Sequence, residues 1–251
     1  MSEARSWSGA DYDRLSAPME AMGREVLERL PLTGAETVID AGCGSGRVTE
    51  ALLARLPDGR VIGVDQSASM IDAARQRLGD RAELHVADLA AFDLGLQADA
   101  ILSTATFHWI ADHDALFARL YAHLRPSGLL VAQCGGRGNI ASVHAAAREV
   151  MARAPYAEHF EGWDGPWNFA TPKETESRLR AAGFAHARAW LQDRPVTPDD
   201  AHAYLTEINL GAHLGRLPED LRPRFVDEVI ERLGGAPVTI DYVRLNMDAV
   251  A

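Results

Sequence analysis

The chain has 251 residues, of which 47% are hydrophobic and 24% charged, which is enough to bury one sizeable core. Its formal net charge of −11, without a basic block, disfavours a nucleic-acid partner, because clustered Lys and Arg bind phosphate backbones. The sequence has no apolar run near the ~20 residues that span a bilayer and no apolar secretory core at its start. These features predict a cytoplasmic protein with a small-molecule partner and no membrane, and they leave open whether it is a monomer or homodimer.

Short apolar runs alternate with amphipathic helical segments from Glu36 to Cys134. Strands are predicted at Thr37–Ala41, Arg60–Asp65, Ala82–Ala87, Ala98–Thr104 and Gly128–Cys134. A first helix is predicted at Val48–Leu56. A second is predicted to begin after Ser67, which can cap it, and a third is predicted to end before Pro126. Strands that alternate with helices indicate a parallel sheet with helices on both faces.

The regular alternation ends after Cys134. Thr171 to Glu174 form a capping box with Pro at the first helical position, which predicts a helix that ends at Gly183. Helices are also predicted at Ile140–Ala154, Pro198–His213 and Pro218–Leu233, and strands at Ala185–Leu191 and Val238–Met247. The segments 136–170 and 197–234 have the character of insertions at the edge of the sheet, and they are candidates for a substrate lid.

Three glycines, Gly42, Gly44 and Gly46, lie between the first strand and the next helix. A glycine turn there lets a ligand lie against backbone N–H groups at the helix N-terminus, although a tight turn without a ligand is the alternative. Asp65 ends the second strand, where a carboxylate can accept both hydroxyls of a ribose. Asp88 follows the third strand at the same edge of the sheet. Together these residues favour a nucleoside-containing ligand.

The sequence resembles the class I S-adenosylmethionine-dependent methyltransferases in the segments VIDAGCGSG, VIGVDQSASMI, HVADLAAF, ADAILSTATFHWI and LRPSGLLVAQ. The FHWI segment, a following helix and RPSG resemble the trans-aconitate methyltransferase-like group. The resemblance implies a Rossmann-like α/β fold, with helices on both faces of a seven-stranded mixed sheet of order 3-2-1-4-5-7-6 and a helical lid. It also implies one domain, residues 1–251, with the cofactor core at 36–135 and the lid insertions at 136–170 and 197–234.

The same resemblance assigns the cofactor, S-adenosylmethionine, to particular residues. Asp40 and the three glycines would hold its methionine portion, an amino acid beside a sulfonium cation, which explains an acidic turn. Asp65 would bind the ribose hydroxyls, and Thr104 would approach the methionine portion or the methyl group. Tyr12 lies in an N-terminal segment that would fold over the cofactor, or it simply anchors a terminal helix. The residues at the adenine would be Gln66, Met70, Asp88 and Leu89, although Met70 is equally explained as a core residue.

The resemblance places the acceptor near His108, just past the fourth strand. Its imidazole suits a catalytic base, a contact to the acceptor, or packing against Trp109, and the sequence leaves these three open. Arg137 is a candidate partner for an anionic acceptor, or it faces solvent. An apolar acceptor pocket would be lined by Phe107, Trp109, Trp163 and Trp167, the last two being alternatively the core beneath the lid.

An oxygen acceptor is expected, a carboxylate by the group's precedent or else a hydroxyl. A carboxylate needs no base, whereas a phenol, an amine or a carbon acceptor usually does. The alternatives are a C- or N-methyltransferase of a small metabolite and a protein that binds S-adenosylmethionine without catalysis. An NAD-dependent oxidoreductase is disfavoured by the glycine spacing and by the absence of a Tyr-x-x-x-Lys pair. The sequence has only two cysteines and no convincing metal-ligand spacing, so it predicts no metal.

Overall fold

A computed structural model describes residues 17–251, so the expectation for Tyr12 lies outside the described residues. The structure is built on a seven-stranded sheet of order β3-β2-β1-β4-β5-β7-β6, which confirms the predicted order. Strands β1 to β5 pair in parallel, and β7 runs antiparallel between β5 and β6. The strands are β1 Thr37–Ala41, β2 Arg60–Asp65, β3 Glu83–Val86, β4 Ala98–Thr104, β5 Leu124–Gly135, β6 His186–Asp193 and β7 Val243–Val250.

Helices cover both faces of the sheet, and local signals start two of them as predicted. The Ser67 side chain accepts a hydrogen bond from the N–H of Met70, and Thr171 with Glu174 forms the expected capping box. The helices are α1 Ala17–Leu27, α2 Arg47–Ala54, α3 Ala68–Leu78, α4 His113–Ala122, α5 Ala141–Met151, α6 Pro172–Ala182, α7 Ala201–Tyr204, α8 Gly211–Leu214 and α9 Arg222–Arg232. In the described part of the chain, none of them has the length and apolar character that crossing a bilayer requires.

Several predicted boundaries differ from the structure; β5, for example, begins at Leu124 and not at Gly128. Two elements differ most. The last strand begins at Val243, not Val238, because the chain first bends, with the N–H of Tyr242 donating to the carbonyl of Ile240. The long helix predicted over Pro198–His213 is broken into α7, a π-helical turn at Leu205–Asn209, and α8. At this break, the side chain of Asn209 donates to the hydroxyl of Tyr242 at 2.9 Å.

Most of the buried apolar side chains in the described part of the chain form three clusters. One lies between the sheet and helices α4 and α6, and another between the opposite face and helices α1 and α2. The third belongs to a helical layer, formed mainly by α5 and α7 to α9, which holds its own core around Tyr156, Tyr204 and Phe225. This layer includes most of the two segments predicted as insertions.

Strand β7 presents two different faces. Leu245, Met247 and Ala249 belong to the apolar cluster under α4 and α6. The alternate residues Arg244, Asn246 and Asp248 lie on the other face, where polar contacts join β5, β7 and Arg29, which follows α1. We call this network the β5–β7 polar row. Its contacts are Arg244 Nε to Gln133 Oε1 at 3.3 Å, Gln133 Nε2 to Asn246 Oδ1 at 3.0 Å, Arg29 Nη1 to Asn246 Oδ1 at 2.6 Å, and Arg29 Nε to Asp248 Oδ1 at 3.1 Å.

Candidate active site

The predicted cofactor residues lie where strands β1, β2 and β4 end, at one edge of the sheet. Parallel strands place their carboxyl ends together, and open α/β sheets bind ligands outside those ends. Asp40 stands near the end of β1, Asp65 ends β2 and Thr104 ends β4. The fold therefore brings these three residues to the same edge.

The three glycines of the turn after β1 have different surroundings. A Cβ on Gly42 would lie 2.1 Å from the hydroxyl of Thr106, and one on Gly46 would lie 2.9 Å from the side chain of Leu78. At Gly44 none of the residues that the structure describes lies within 4 Å of the Cβ position, and its φ of +52° is in the left-handed region. Gly42 and Gly46 thus allow close packing within the protein, whereas Gly44 borders an open space that can receive a ligand.

Asp65 ties this turn to the end of β2. Its Oδ2 accepts a hydrogen bond from the N–H of Gly44 at 3.0 Å, and its Oδ1 accepts one from the N–H of Ser67 at 2.9 Å. Burial raises the pKa of Asp65 from its ordinary value, and the two N–H groups act against that rise. Each carboxylate oxygen retains a further lone pair, so the group can accept hydroxyl hydrogens from a ligand.

Asp40 is fully buried beside the turn. Its Oδ2 accepts from the Thr49 hydroxyl at 2.7 Å, while its Oδ1 has no hydrogen-bond partner among the residues that the structure describes. The pKa of Asp40 is raised to about 6, chiefly by burial; the hydrogen bond from Thr49 opposes the rise and the nearby Asp65 adds to it. A buried acceptor with an unused oxygen fits a cofactor portion that carries positive charge.

The predicted adenine residues lie around the ends of β2 and β3. Gln66 and Asp88 are exposed, and Asp88 Oδ1 accepts from the N–H of Ala90 at 2.9 Å. Met70 and Leu89 are buried, and Leu89 belongs to the apolar core between the sheet and α4. The arrangement offers polar groups at the rim and apolar surface below, as a flat base requires. Both interpretations of Met70, adenine contact and core residue, fit this position.

His108 lies in a short 3-10 helix, Phe107–Trp109, which follows β4. This helix places the His108 side chain beside the end of β5. Pairing of β4 with β5 ends where the N–H of Ala105 donates to the carbonyl of Gln133. Beyond this pair, the N–H of Gly135 donates to Nδ1 of His108 at 3.3 Å. The imidazole therefore takes the place in the ladder that the next residue of β4 would occupy.

The environment of His108 determines its protonation. Burial lowers its pKa well below the ordinary value, and the positive charges of Arg244 and His113 lower it further. The imidazole is therefore neutral near pH 7. Because Nδ1 accepts from Gly135, the single ring proton is on Nε2. His108 is thus arranged as a hydrogen-bond donor and is a poor proton acceptor.

An aromatic cluster extends from His108 into the helical layer. The His108 ring lies 5.1 Å from the Trp109 ring and 5.8 Å from the Phe169 ring, centroid to centroid. The Trp167 ring connects Trp109 with His144 of the helical layer. Its centroid lies 6.0 Å from that of the Trp109 ring and 4.5 Å from that of the His144 ring. We define the aromatic cluster as His108, Trp109, His144, Trp163, Trp167, Phe169 and His213.

Three of the residues predicted to contact the acceptor have surroundings other than the predicted pocket. Phe107 is fully buried in the core under α4, where its ring meets that of Phe117 at 6.0 Å, so its prediction as a lining residue is corrected. Trp163 packs inside the helical layer, against Phe160 and below the guanidinium of Arg216. Arg137 is exposed, which fits the alternative that it faces solvent.

Sequence reasoning missed two residues near this site. Arg244 on β7 is 3% exposed, and its charge acts on His108. His144 on α5 is partly buried; burial lowers its pKa to about 4, and its Nε2 has no hydrogen-bond partner among the described residues. The alternating polar residues of VRLNMD were the available signal for Arg244, whereas His144 had none beyond its residue type.

Comparison with known proteins agrees with this geometry. Residues 38–128 match a family model described as a methyltransferase domain. A trans-aconitate 2-methyltransferase of Variovorax paradoxus (strain S110) is 33% identical over 95% of this chain and 93% of its own length. The enzyme of that name from Rhizobium etli (strain ATCC 51251 / DSM 11541 / JCM 21823 / NBRC 15573 / CFN 42) is 30% identical over 91% of this chain and 90% of its length.

Solved structures agree on the fold. The YcgJ protein of Bacillus subtilis has a TM-score of 0.62 at 14% identity, over 93% of this chain and 97% of that one. A Haemonchus contortus phosphoethanolamine N-methyltransferase, solved with S-adenosylhomocysteine, has a TM-score of 0.60 at 18% identity, over 96% of this chain and 56% of that one. The chain therefore belongs to the class I S-adenosylmethionine-dependent methyltransferases, in the trans-aconitate methyltransferase group, and transfers methyl groups to a small organic acceptor.

Proposed function

We propose that this enzyme methylates a carboxylate oxygen of a small organic acid and so produces a methyl ester. The observation that carries this proposal is the state of His108, a buried neutral imidazole whose Nδ1 is occupied by the N–H of Gly135. Its Nε2–H is left to donate to an acceptor oxygen. The name of the relatives, trans-aconitate 2-methyltransferase, supports a carboxylic acid as the acceptor.

A carboxylate suits a site that offers a donor and no base. When bound, S-adenosylmethionine supplies a methyl group on a positively charged sulfur, and a carboxylate can accept that group without releasing a proton. A hydroxyl or amine acceptor must lose a proton, which calls for a base poised near the working pH. His108 does not meet that requirement, because its pKa is well below the ordinary value. Its role would be to orient the acceptor oxygen in line with the methyl group.

The cofactor and the acceptor would bind to different parts of the chain. Asp40, Gly44 and Asp65 would hold the methionine and ribose portions, supported by the open space at Gly44 and the unused oxygen of Asp40. The adenine would lie among Gln66, Met70, Asp88 and Leu89. The insertions 136–170 and 197–234, which supply most of the helical layer, would act as the lid over the acceptor. A net charge of −11 supports a free small molecule as the acceptor and argues against nucleic acid.

The test is an acceptor assay with the purified protein and S-adenosylmethionine. Trans-aconitate and related acids would be compared with alcohols and amines of similar size, with S-adenosylhomocysteine release and product mass as readouts. We expect products only from acids, and we expect mild alkali to return the parent acid because esters hydrolyse. Asp65→Ala is the matched control, since it should weaken cofactor binding whichever acceptor is used. An alkali-stable methylated product, or turnover of alcohols or amines but not of acids, would overturn the proposal.

A further inference from the structure

We propose that Asn139 is a second acceptor-binding residue, whose side-chain amide donates a hydrogen bond to the same carboxylate that His108 holds. This inference rests on the proposed function and deepens it by naming a further contact of that site. It follows from three features of Asn139: its position beside Gly135, the contacts that fix its side chain, and the donor that the protein leaves unused.

Asn139 and His108 meet at the same residue of β5. The N–H of Gly135 donates to Nδ1 of His108. A Cβ on Gly135 would lie 2.8 Å from Nδ2 of Asn139 and 2.7 Å from the ring of Phe169, so glycine lets both groups lie against the strand. The Phe169 ring is itself 5.8 Å from the His108 ring, centroid to centroid. An acceptor that meets His108 therefore lies close to the amide of Asn139.

The side chain of Asn139 is buried and held in place. The residue is 4% exposed, and its Oδ1 accepts from the N–H of Val243, the first residue of β7, at 3.0 Å. The N–H of Asn139 donates to the carbonyl of Gly136 at 2.9 Å, and that of Ile140 donates to the carbonyl of Asp241 at 3.0 Å. These contacts fix the turn and determine which end of the amide is the donor. A donor that is fixed in advance loses little freedom when a ligand binds.

The Nδ2 group of Asn139 is a donor that the protein does not use. Among the described residues, it has no hydrogen-bond acceptor. Nδ1 of His108 cannot serve as one, because it already accepts from the N–H of Gly135. Polar groups of buried side chains are nearly always paired, so one that lacks a partner needs an explanation. An acceptor oxygen of the substrate supplies the missing partner.

A carboxylate is the group that suits these two donors. The Nε2–H of His108 and the Nδ2–H of Asn139 are neutral donors, and carboxylate oxygens only accept. During transfer, one carboxylate oxygen forms the bond to the methyl carbon while the carbon–sulfur bond breaks toward sulfur, so the carboxylate loses its charge. Neutral donors stabilise the charged substrate less than a cation would, and so oppose the transfer less. Two donors also fix the plane of the carboxylate, which a single donor leaves free to turn.

The test compares Asn139→Asp with Asn139→Leu, assayed with an acid acceptor at about pH 8, where the new carboxylate is ionised. Asn139→Asp keeps an oxygen for the N–H of Val243 but replaces the donor by a negative charge. We expect it to raise the KM of the acid about 100-fold or more, because like charges then meet. Asn139→Leu should raise that KM about tenfold, the effect of losing one hydrogen bond to a charged group. The KM of S-adenosylmethionine should stay within about twofold of wild type in both variants. Gln97→Glu, the same amide-to-acid change at an exposed residue before β4, should match wild type.

Several outcomes would overturn the inference. A purely structural role predicts the reverse order of KM values, because only Asn139→Leu loses the contact to Val243. That order, equal rises in both variants, or an unchanged KM of the acid would each show that the amide does not meet the carboxylate. Melting temperature and S-adenosylhomocysteine affinity report whether each variant is folded. If Asn139→Asp does not fold, Asn139→Leu must still raise the KM of the acid about tenfold at unaltered S-adenosylhomocysteine affinity. Wild-type protein that esterifies no acid removes the proposed function and this inference together, whereas normal wild-type turnover with unaltered variants removes only the inference.

Discussion

The N–H of Gly135 donates to Nδ1 of His108 at 3.3 Å, at the point where β4 has ended and β5 continues. The imidazole is thereby attached to the sheet itself, although it belongs to a connecting segment. A side chain held by a strand is placed more accurately than one held by a loop. This contact also determines which ring nitrogen carries the proton, and so what His108 can do.

His108→Gln should mainly raise the KM of the acceptor, by about tenfold, and lower kcat less than that. Glutamine can still donate, but its geometry differs. Because the pKa of His108 is lowered well below 6.5, the ring is neutral throughout the range in which the enzyme is assayed, so the pH–rate profile should be the same in the variant. Steady-state kinetics between about pH 6 and pH 9 would check this. A fall in kcat of about 10²–10⁴ with loss of an acid limb would instead identify a base.

Gly44→Ala and Gly42→Ala should fail in different ways. A Cβ on Gly44 meets no atom of residues 17–251, so folding should lose only the roughly 1 kcal/mol of a left-handed alanine, while cofactor affinity falls by about tenfold or more. A Cβ on Gly42 meets Thr106 at 2.1 Å, so that variant should lose about 2–4 kcal/mol of folding free energy. Denaturant unfolding and calorimetry with S-adenosylhomocysteine separate the two. Equal losses of stability would show that Gly44 is only part of a turn.

Asp40→Asn should stabilise the protein without cofactor, and increasingly so as the pH rises. The folded pKa of Asp40, about 6, is raised above its ordinary 3.8. Its contribution to stability is therefore complete below pH 3.8 and is lost as the pH rises through 6. The difference in unfolding free energy, variant minus wild type, should grow by about 3 kcal/mol over this window.

Urea unfolding of both Asp40 proteins from about pH 3 to pH 7.5 measures that difference. The same substitution should weaken S-adenosylmethionine binding, because it removes the negative charge beside the proposed site of the methionine portion. A difference that is constant with pH would mean that Asp40 titrates normally. A gain in both stability and affinity would remove Asp40 from the cofactor site.

Trp167→Ala and Trp163→Ala test whether the aromatic cluster faces the acceptor. Trp167 bridges Trp109 and His144, so its loss should raise the acceptor KM about tenfold. Trp163 packs on Phe160 and Arg216 within the helical layer, so its loss should lower stability by about 2–4 kcal/mol with a smaller change in KM. Steady-state kinetics and denaturant unfolding of both variants decide whether each tryptophan affects the acceptor KM or the stability of the protein. If both residues change only stability, the cluster is the core of the lid.

The sheet could be predicted because its evidence is local. Buried strands such as Thr37–Ala41 and Arg60–Asp65 are short apolar runs, and glycine, serine or proline marks the adjoining turns. The sites at the ends of these strands follow from the rule that parallel strands end together. Asp65 was predicted in this way, whereas Asp40 was assigned by the family resemblance.

The acceptor side could not be predicted in the same way, because its contacts are distant in the sequence. Arg244 influences His108 because β7 pairs antiparallel with β5. The resemblance implied that strand order, but nothing in VRLNMD states that Arg244 will pair with Gly135. Phe107 and His108 are adjacent, yet the tight 3-10 turn sends one ring into the core and the other to β5. Asn209 bonds to Tyr242 across the helical layer, where the predicted long helix is broken.

The two faces of β7 also bear on which changes the chain can accumulate. Side chains alternate along a strand, so the deletion of one residue would reverse every side chain beyond it. Arg244 would turn toward the apolar cluster and Leu245 toward Gln133, which leaves a buried charge among hydrocarbon and an amide without its partner. Pairing on both edges, with β5 and β6, gives the strand no unpaired side on which to shift. Point substitutions can therefore accumulate in β7 during divergence, whereas insertions and deletions there should be eliminated and should persist only in the segments outside the sheet.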